Sequence, residues 1–215
     1  MDIMVFLGSR RASAPPRPAR LGERVARAFV GQIEGGGHQV TLIDPLDFPA
    51  LDEFKPHFSY RKGAAPEPLD VLAGQIGKAD AYVMVSPEYN HSMSPALADL
   101  LNHFGASLFA YKPSLIATYS AGQWGGARAA MNMRAYLGEL GCLPVSAMVH
   151  VPKAHEVFDA DGGYLDTVDA DRWDTYLGRG LGQLAWWGAA ARSQRAISDG
   201  PGPFQRDPSQ RNAPS

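Results

Sequence analysis

Ser86-Pro87-Glu88-Tyr89-Asn90-His91 carries the densest chemistry in this chain. It follows the apolar run 81–85 and precedes Ser94-Pro95, where a helical pattern opens. A polar turn at the carboxyl end of a buried strand is where open α/β sheets bind ligands. This turn offers backbone amides, a carboxylate, a phenol and a side-chain amide. That set suits the edge and face of a flat heteroaromatic ring better than it suits a metal or a nucleophilic triad.

Two other loops complement it. Gly8-Ser9-Arg10-Arg11 follows the first apolar run and leads through Pro15, Pro16 and Pro18 to Arg20-Leu21-Gly22, where a helix begins. Helix N-terminal amides and the helix dipole favour a phosphate. Ser9 and Ser13 add hydroxyls, and Arg11 and Arg20 can fork onto phosphate oxygens. Neither G-x-x-x-x-G-K-S/T nor G-x-G-x-x-G follows the first strand, so the usual nucleotide fingerprints do not apply. The third loop is Ser120-Ala121-Gly122-Gln123-Trp124-Gly125-Gly126. Its glycines let backbone approach a flat ligand closely, and Trp124 can stack on that ligand or pack at a subunit interface.

The elements that must position these loops alternate. Strands read at 3–7, 39–43, 81–85, 115–119 and 143–151. Helices read at 21–33, 69–78, from Ser94-Pro95 to about 104, at 127–140 and at 172–192. Leu21, Val25, Phe29 and Ile33 form one apolar stripe, Gly35-Gly36-Gly37 ends the first helix, and Ser94 with Pro95 is an N-cap followed by proline at the first helical position. Residues 44–66 hold four prolines without a period and read as a long loop. Buried strands separated by helices make a parallel sheet with right-handed crossovers. Five such strands fit a flavodoxin-like, doubly wound three-layer α/β/α fold of order 2-1-3-4-5, with its crevice between the first and third strands. The first, third and fourth strands are then neighbours, and the three loops face one crevice.

Length fits one domain: 215 residues, 45% apolar, can bury a sizeable core. We read 1–195 as that domain and 196–215, rich in Pro, Gly, Ser and Gln, as a disordered or partner-draped tail. A net charge of −2 gives no global field for nucleic acid or a membrane surface. The basic charge is uneven, since Arg10, Arg11, Arg17, Arg20, Arg24 and Arg27 face only Glu23 within 9–27. Cys142 is the only cysteine, which excludes an internal disulfide and fits a reducing compartment; it reads as core packing. No segment is long and apolar enough to span a bilayer, so the sequence reads as a soluble, cytoplasmic protein. His150 and His155 are separated by Pro152 and joined by no cysteine, so no metal site is expected.

G-S-x-R after the first strand, P-E-Y-N after the third and S-x-G-x-x-G-G after the fourth resemble the NAD(P)H-dependent FMN reductase family, over residues 3–151. The family is flavodoxin-like and includes quinone, azo-dye and chromate reductases. The resemblance implies FMN as cofactor and NADPH or NADH as reductant. It implies that Ser9, Arg11, Arg20 and Gly22 hold the phosphate, that Pro87, Glu88, Tyr89 and Asn90 hold the isoalloxazine ring, and that Ser120, Gly122, Gly125 and Gly126 close over it. Here residues 12–19 intervene where the family commonly passes directly to R-x-G, so Ser13, Arg17 and Arg20 compete for the phosphate. Tyr89, His91 and Trp124 would line the substrate pocket.

The function implied is reduction of quinones, free flavin or related small acceptors by hydride transfer through flavin N5, with no catalytic side chain because the flavin carries the redox chemistry. An FMN-binding electron carrier or flavin-dependent regulator is the alternative, and a serine hydrolase using Ser120 with Glu139 and His155 is the remote one. The resemblance also implies a homodimer or dimer of dimers (homotetramer), and Phe104, Leu108, Phe109, Tyr111 and Trp124 read as aromatic surface near the ligand edge.

Overall fold

The computed structural model describes residues 1–12, 20–48 and 54–198. Ser13, Arg17 and most of the proposed tail lie outside the described residues. A parallel sheet forms the middle layer, from β1 (Asp2–Leu7), β2 (Gln39–Ile43), β3 (Ala81–Tyr89) and β5 (Pro113–Tyr119), with β6 (Leu143–Pro144) and β7 (Val149–Val151) sharing the outer position beside β5. The short β4 (Ser92–Met93) pairs antiparallel with the end of β3. With that hairpin set aside, the order is the flavodoxin-like 2-1-3-4-5.

The helices cover both faces. On one, α1 (Leu21–Gly35) and α6 (Ala170–Arg195) pack against the inward side chains of β1, β3 and β5. Val25, Phe29 and Ile33 of the expected stripe are all buried there, each worth about 1.5–3 kcal/mol relative to exposure. On the other face, α2 (Glu67–Lys78), α3 (Pro95–Asn102), the single turn α4 (Ala106–Phe109) and α5 (Ala127–Glu139) enclose Phe6, Tyr82, Met84 and Ile116. Alternate residues of each strand thus feed two separate cores. That is why the strands read as unbroken apolar runs.

Three local differences from the sequence reading have physical reasons. First, Ser86-Pro87-Glu88-Tyr89 is not a turn. The ladder to β5 continues through Pro87 opposite Tyr119, and Tyr89 pairs with Ser92, which leaves only Asn90-His91 to reverse the chain. Both have positive φ, 51° and 63°, as a two-residue hairpin loop demands. Second, the fifth strand is split. Between its halves the Ala147 N–H donates to Gln183 Oε1 of α6 at 2.8 Å instead of to the ladder. Third, Phe104 and Phe109 are buried, not surface. Phe109 packs against Tyr82 near the start of β3, and Phe104, Leu108, Phe109 and Tyr111 all belong to the amino end of the sheet, opposite the crevice. Cys142 is buried as expected, and burial pushes its thiol up to about 12.

Candidate active site at the carboxyl end of the sheet

Leu7 of β1 lies opposite Val85, and Pro87 lies opposite Tyr119 of β5, so the loops after β1, β3 and β5 emerge side by side. The first is pinned where it leaves the sheet. The Gly8 N–H donates to Val85 O at 2.7 Å, and the Ser94 hydroxyl donates to Gly8 O. Ser94 also caps α3 by accepting from the Leu97 N–H at 3.1 Å, so one serine ties the first loop to the helix that follows the hairpin. Ser9 is buried, and its hydroxyl accepts from the Arg11 N–H at 3.2 Å. Ser9, Arg10, Arg11, Tyr89, Asn90 and Pro95 are among the residues lining a cleft of about 770 Å³, within the range of small-ligand sites.

Arg20 stands at the N-cap of α1 in the left-handed conformation, and no side chain caps the helix. Its guanidinium pairs with Asp44 and lies 3.3 Å from Glu23 Oε2. Two carboxylates therefore hold the group that the sequence reading offered to phosphate. Its Nε and Nη1 are nonetheless buried without a hydrogen-bond partner; Nε is near Glu23 without being aligned to it. Gly22 follows directly, where a Cβ would run into Tyr119 Oη. Burial raises the Tyr119 phenol far above its ordinary value, and Ser9 hydrogen-bonds it. Buried guanidinium donors without an acceptor, beside an uncapped helix start and a serine hydroxyl, fit a phosphate. On this test the residues present suit FMN.

The hairpin is clamped to α5. Gly126, the N-cap of α5, has no side chain with which to cap it. Glu88 does so from the next strand, accepting from the Arg128 N–H at 3.2 Å and the Ala129 N–H at 3.4 Å while Arg128 Nε donates to its other oxygen at 2.9 Å. Desolvation works against ionising Glu88, but the hydrogen bonds from Arg128 and Ala129 win and hold its carboxyl below the usual range. Asn132 Nδ2 donates to His91 O at 2.8 Å. Asn90 and His91 are exposed at the hairpin tip, and Tyr89 is 39% exposed at the cleft.

In the third loop the Ser120 hydroxyl donates to Gly122 O at 2.7 Å and accepts from the Gly125 N–H at 2.9 Å. It organises the loop. Glu139 ends α5, about 18 Å along the helix from its start, so the Ser120–Glu139–His155 hydrolase has no geometry. Gly126 has φ 78°, and a Cβ there would sit 2.8 Å from Thr118 Cβ; the loop lies too close to β5 for any other residue. Thr118 Oγ1 is 2.8 Å from His150 Nδ1, and burial lowers the pKa of His150. Trp124 is 65% exposed with the Arg128 guanidinium 5.8 Å from its ring. The structure thus brings Ser9, Arg11, Tyr89 and Asn90 to one cleft and sets Ser120, Gly125 and Gly126 as the wall of the neighbouring loop. Among the described residues no cluster could hold a metal ion.

The model of the NADPH-dependent FMN reductase family matches residues 1–156. The chain belongs to that family. It is accordingly an oxidoreductase with FMN as cofactor and NAD(P)H as reductant. Among relatives, an NAD(P)H-dependent FMN reductase of Pseudomonas aeruginosa is 34% identical over 134 residues, 60% of this chain and 70% of that one. A quinone reductase of Escherichia coli is 41% identical over 75 residues, 34% of this chain and 40% of that one. The flavoenzyme NAD(P)H:acceptor oxidoreductase FerB of Paracoccus denitrificans has the same fold, with TM-score 0.65 and 20% identity over 86% of this chain and 96% of that one.

Seen as a member of this FMN reductase family, the chain has residues at its site that the sequence reading passed over, Asp44, Tyr119, Arg128 and Asn132, together with His150, which that reading weighed only as a metal ligand. Arg128 alone had a usable signal, a charged residue in the first turn of the helix that follows Gly125-Gly126. The others act through pairings between distant strands and helices, which no local pattern announces.

Proposed function

We propose that this protein uses FMN held at the carboxyl ends of β1, β3 and β5 to reduce quinones, free flavin or related small planar acceptors at the expense of NAD(P)H. The observation that carries this reading is the convergence of three differently furnished loops on one cleft: a donor-rich loop, a polar hairpin tip and a glycine wall. Bound FMN would supply the redox chemistry, accepting a hydride from the nicotinamide at N5 and passing electrons on to the acceptor.

The chain's own part is positional. Ser9, Arg11, Arg20 and the first turn of α1 around Gly22 would bind the phosphate, with Ser13 a further candidate. Asp44 and Glu23 fix Arg20 in advance, so its donors need no reordering on binding. Pro87, Glu88, Tyr89 and Asn90 would set the ring edge, Glu88 by locking the hairpin to α5 and Asn90 by its amide. Ser120, Gly122, Gly125 and Gly126 would let main chain reach the ring and exclude water beside it. Tyr89, His91 and Trp124 would shape the acceptor pocket. No side chain need ionise, so geometry dominates; a small misplacement of reacting atoms can cost about a hundredfold. The exposed Trp124, Met131 and Tyr89 at this rim support self-association of the chain around the site. We take 1–195 as the functional domain, and the single buried Cys142 supports a reducing, cytoplasmic setting.

The test is spectroscopic. The purified chain should retain or take up FMN and no FAD. NADPH or NADH should bleach the flavin bands anaerobically, and a quinone should restore them. FMN uptake with no bleaching by either nucleotide favours the electron carrier. Ser120→Ala should be mild, and loss of all turnover in that variant with FMN still bound would revive a nucleophilic serine.

A further inference from the structure

Tyr119 is the last residue of β5 and is buried. Its hydroxyl serves a different loop from the one that it precedes. A Cβ on Gly22 would stand 2.3 Å from Tyr119 Oη and 2.8 Å from Cζ, so the phenol lies against the first turn of α1. That contact excludes any larger residue at position 22. β3 separates β5 from β1, the strand that leads into α1, and two strand spacings are about 10 Å. A long side chain is needed to bring a hydroxyl from the one to the other.

What surrounds that hydroxyl is unlike a core environment. Tyr82, the other buried tyrosine of the sheet, reaches two main-chain carbonyls, Ile76 O at 2.8 Å and Leu108 O at 3.2 Å. The Tyr119 hydroxyl meets the amino end of a helix instead, which presents N–H groups and no free carbonyl. Ser9 hydrogen-bonds it. The Ser9 oxygen already accepts from the Arg11 N–H at 3.2 Å, so the serine proton is directed at the phenol and the phenol's own proton is left for another acceptor. Arg11 and Arg20 are the cations near it. Arg20 keeps two buried donors unmatched, and the carboxylates of Asp44 and Glu23 are taken up by that same guanidinium. Burial raises the phenol far above its ordinary value, so it stays a donor through neutral and mildly alkaline pH. Phenol, guanidinium and helix amides are then donors that converge without an acceptor of their own. An anion with several oxygens completes them.

We propose that Tyr119 is a binding and specificity-determining residue whose hydroxyl donates to the 5′-phosphate of FMN and so selects FMN over riboflavin, an inference that rests on the FMN-binding reading given above. It supplies the first loop with a donor from β5 that the motif of that loop does not contain. Tyr119 also leads directly into Ser120, which organises the glycine wall. One residue therefore joins the phosphate end of the site to the ring end.

The test is fluorescence titration of the apoprotein with FMN and with riboflavin, for wild type and Tyr119→Phe, which keeps the ring in the core and deletes only the oxygen. Wild type should bind FMN more tightly than riboflavin. Tyr119→Phe should lose about tenfold to a hundredfold in FMN affinity and nothing in riboflavin affinity, so that the preference for FMN shrinks by the same factor. The melting temperature of the apoprotein should be unchanged, because the lost proton had no acceptor until the phosphate arrived. If Tyr119→Phe binds FMN like wild type, the phosphate contact is overturned. It is overturned equally if FMN and riboflavin weaken by one factor, or if the apoprotein melts earlier, since the phenol would then be holding the pocket together and not the phosphate. Wild type that binds no FMN removes the FMN reading itself; wild type that binds FMN, matched by Tyr119→Phe, removes only this contact.

Discussion

At the amino end of the sheet Lys112 Nζ donates to Ile76 O, Gly77 O and Leu108 O at 2.7–2.9 Å. Asp80 accepts there from the Asp2 N–H and from Arg192 and Arg195, and the Tyr82 hydroxyl finds Ile76 O and Leu108 O. At the carboxyl end Arg20 keeps two buried donors unmatched, α1 starts without a side-chain cap, and Asn90, His91 and Arg20 hold positive φ without being glycine. Positive φ does not separate the two ends, since Tyr111 at the amino end also has φ 61°; charge does, for Lys112 and Asp80 are matched by several partners while the Arg20 guanidinium keeps donors open where a ligand would sit. One end of the same sheet is built for stability and the other holds unmatched groups in place for binding.

The strongest way to break this division is at the amino end. Lys112 and Tyr82 share the acceptors Ile76 O and Leu108 O. Lys112→Met and Tyr82→Phe should each cost about 1–3 kcal/mol of folding stability. The double variant should cost more than their sum, by about 1 kcal/mol, because only then do both carbonyls lose every partner. FMN affinity of the folded fraction should not move. Urea denaturation and FMN titration of the four proteins decide it, and strict additivity would refute the shared-acceptor account.

The matching change at the other end is Arg11→Ala. Its guanidinium has no carboxylate partner among the described residues, so its removal should weaken FMN binding by about 1.5–3 kcal/mol, tenfold to a hundredfold, and leave the apoprotein's melting temperature alone. Arg20→Ala should weaken FMN binding as well. It should also destabilise the apoprotein, because Asp44 and Glu23 lose their shared cation. If Arg11→Ala lowers apoprotein stability as much as Arg20→Ala does, the distinction between the committed and the open arginine is lost.

A finer cut separates hairpin position from hairpin chemistry. Glu88→Ala removes the cap of α5 and the tie to Arg128, a loss of about 1 kcal/mol. It should shift the flavin reduction potential because the hairpin is no longer held. Asn90→Gly keeps the left-handed backbone and deletes only the amide. It should change potential and rate while sparing stability, whereas Asn90→Ala would confound the two through strain. Equal effects of Glu88→Ala and Asn90→Gly on melting temperature would contradict this separation.

The same contrast explains what was legible in the sequence. The fold was, because each strand is buried on both faces and its apolar run stands out, and because Leu21, Val25, Phe29 and Ile33 spell one helix face. The three loops were legible too, since glycine, serine and P-E-Y-N break that pattern where the strands end. What the sequence hid depends on pairing across the sheet. Nothing near Glu88 says that it caps a helix forty residues on, and nothing near Arg20 names Asp44. P-E-Y was misread as a turn because proline and glutamate are poor strand formers; the ladder to β5 overrode that preference. Phe104 and Phe109 were misplaced because an aromatic cluster between helices looks alike at either end of a sheet.

The smallest effect tests the amino end by pH. Burial pulls Lys112 down to about 8 from the usual 10.5 and pushes Cys142 up to about 12 from the usual 9.0. The signs are opposite. Between about pH 8 and 10.5 the unfolded chain binds the Lys112 proton more readily than the folded one, so this group makes stability rise with pH. Above about pH 9 the folded chain keeps the Cys142 proton that the unfolded chain releases, so that group makes stability fall. Wild type should therefore gain about 1 kcal/mol between pH 8 and 9 and then level off. Cys142→Ala, less stable throughout, should keep rising toward pH 10, where the buried tyrosines, Tyr82 and Tyr119, begin to oppose it. Lys112→Met should show no rise and should decline above pH 9. Urea denaturation of the three proteins from pH 7.5 to 10 reads all of this directly. A Cys142→Ala curve that turns over at the wild-type pH would mean that the thiol is not what limits stability there, and that the amino end is less tightly closed than its hydrogen bonds imply.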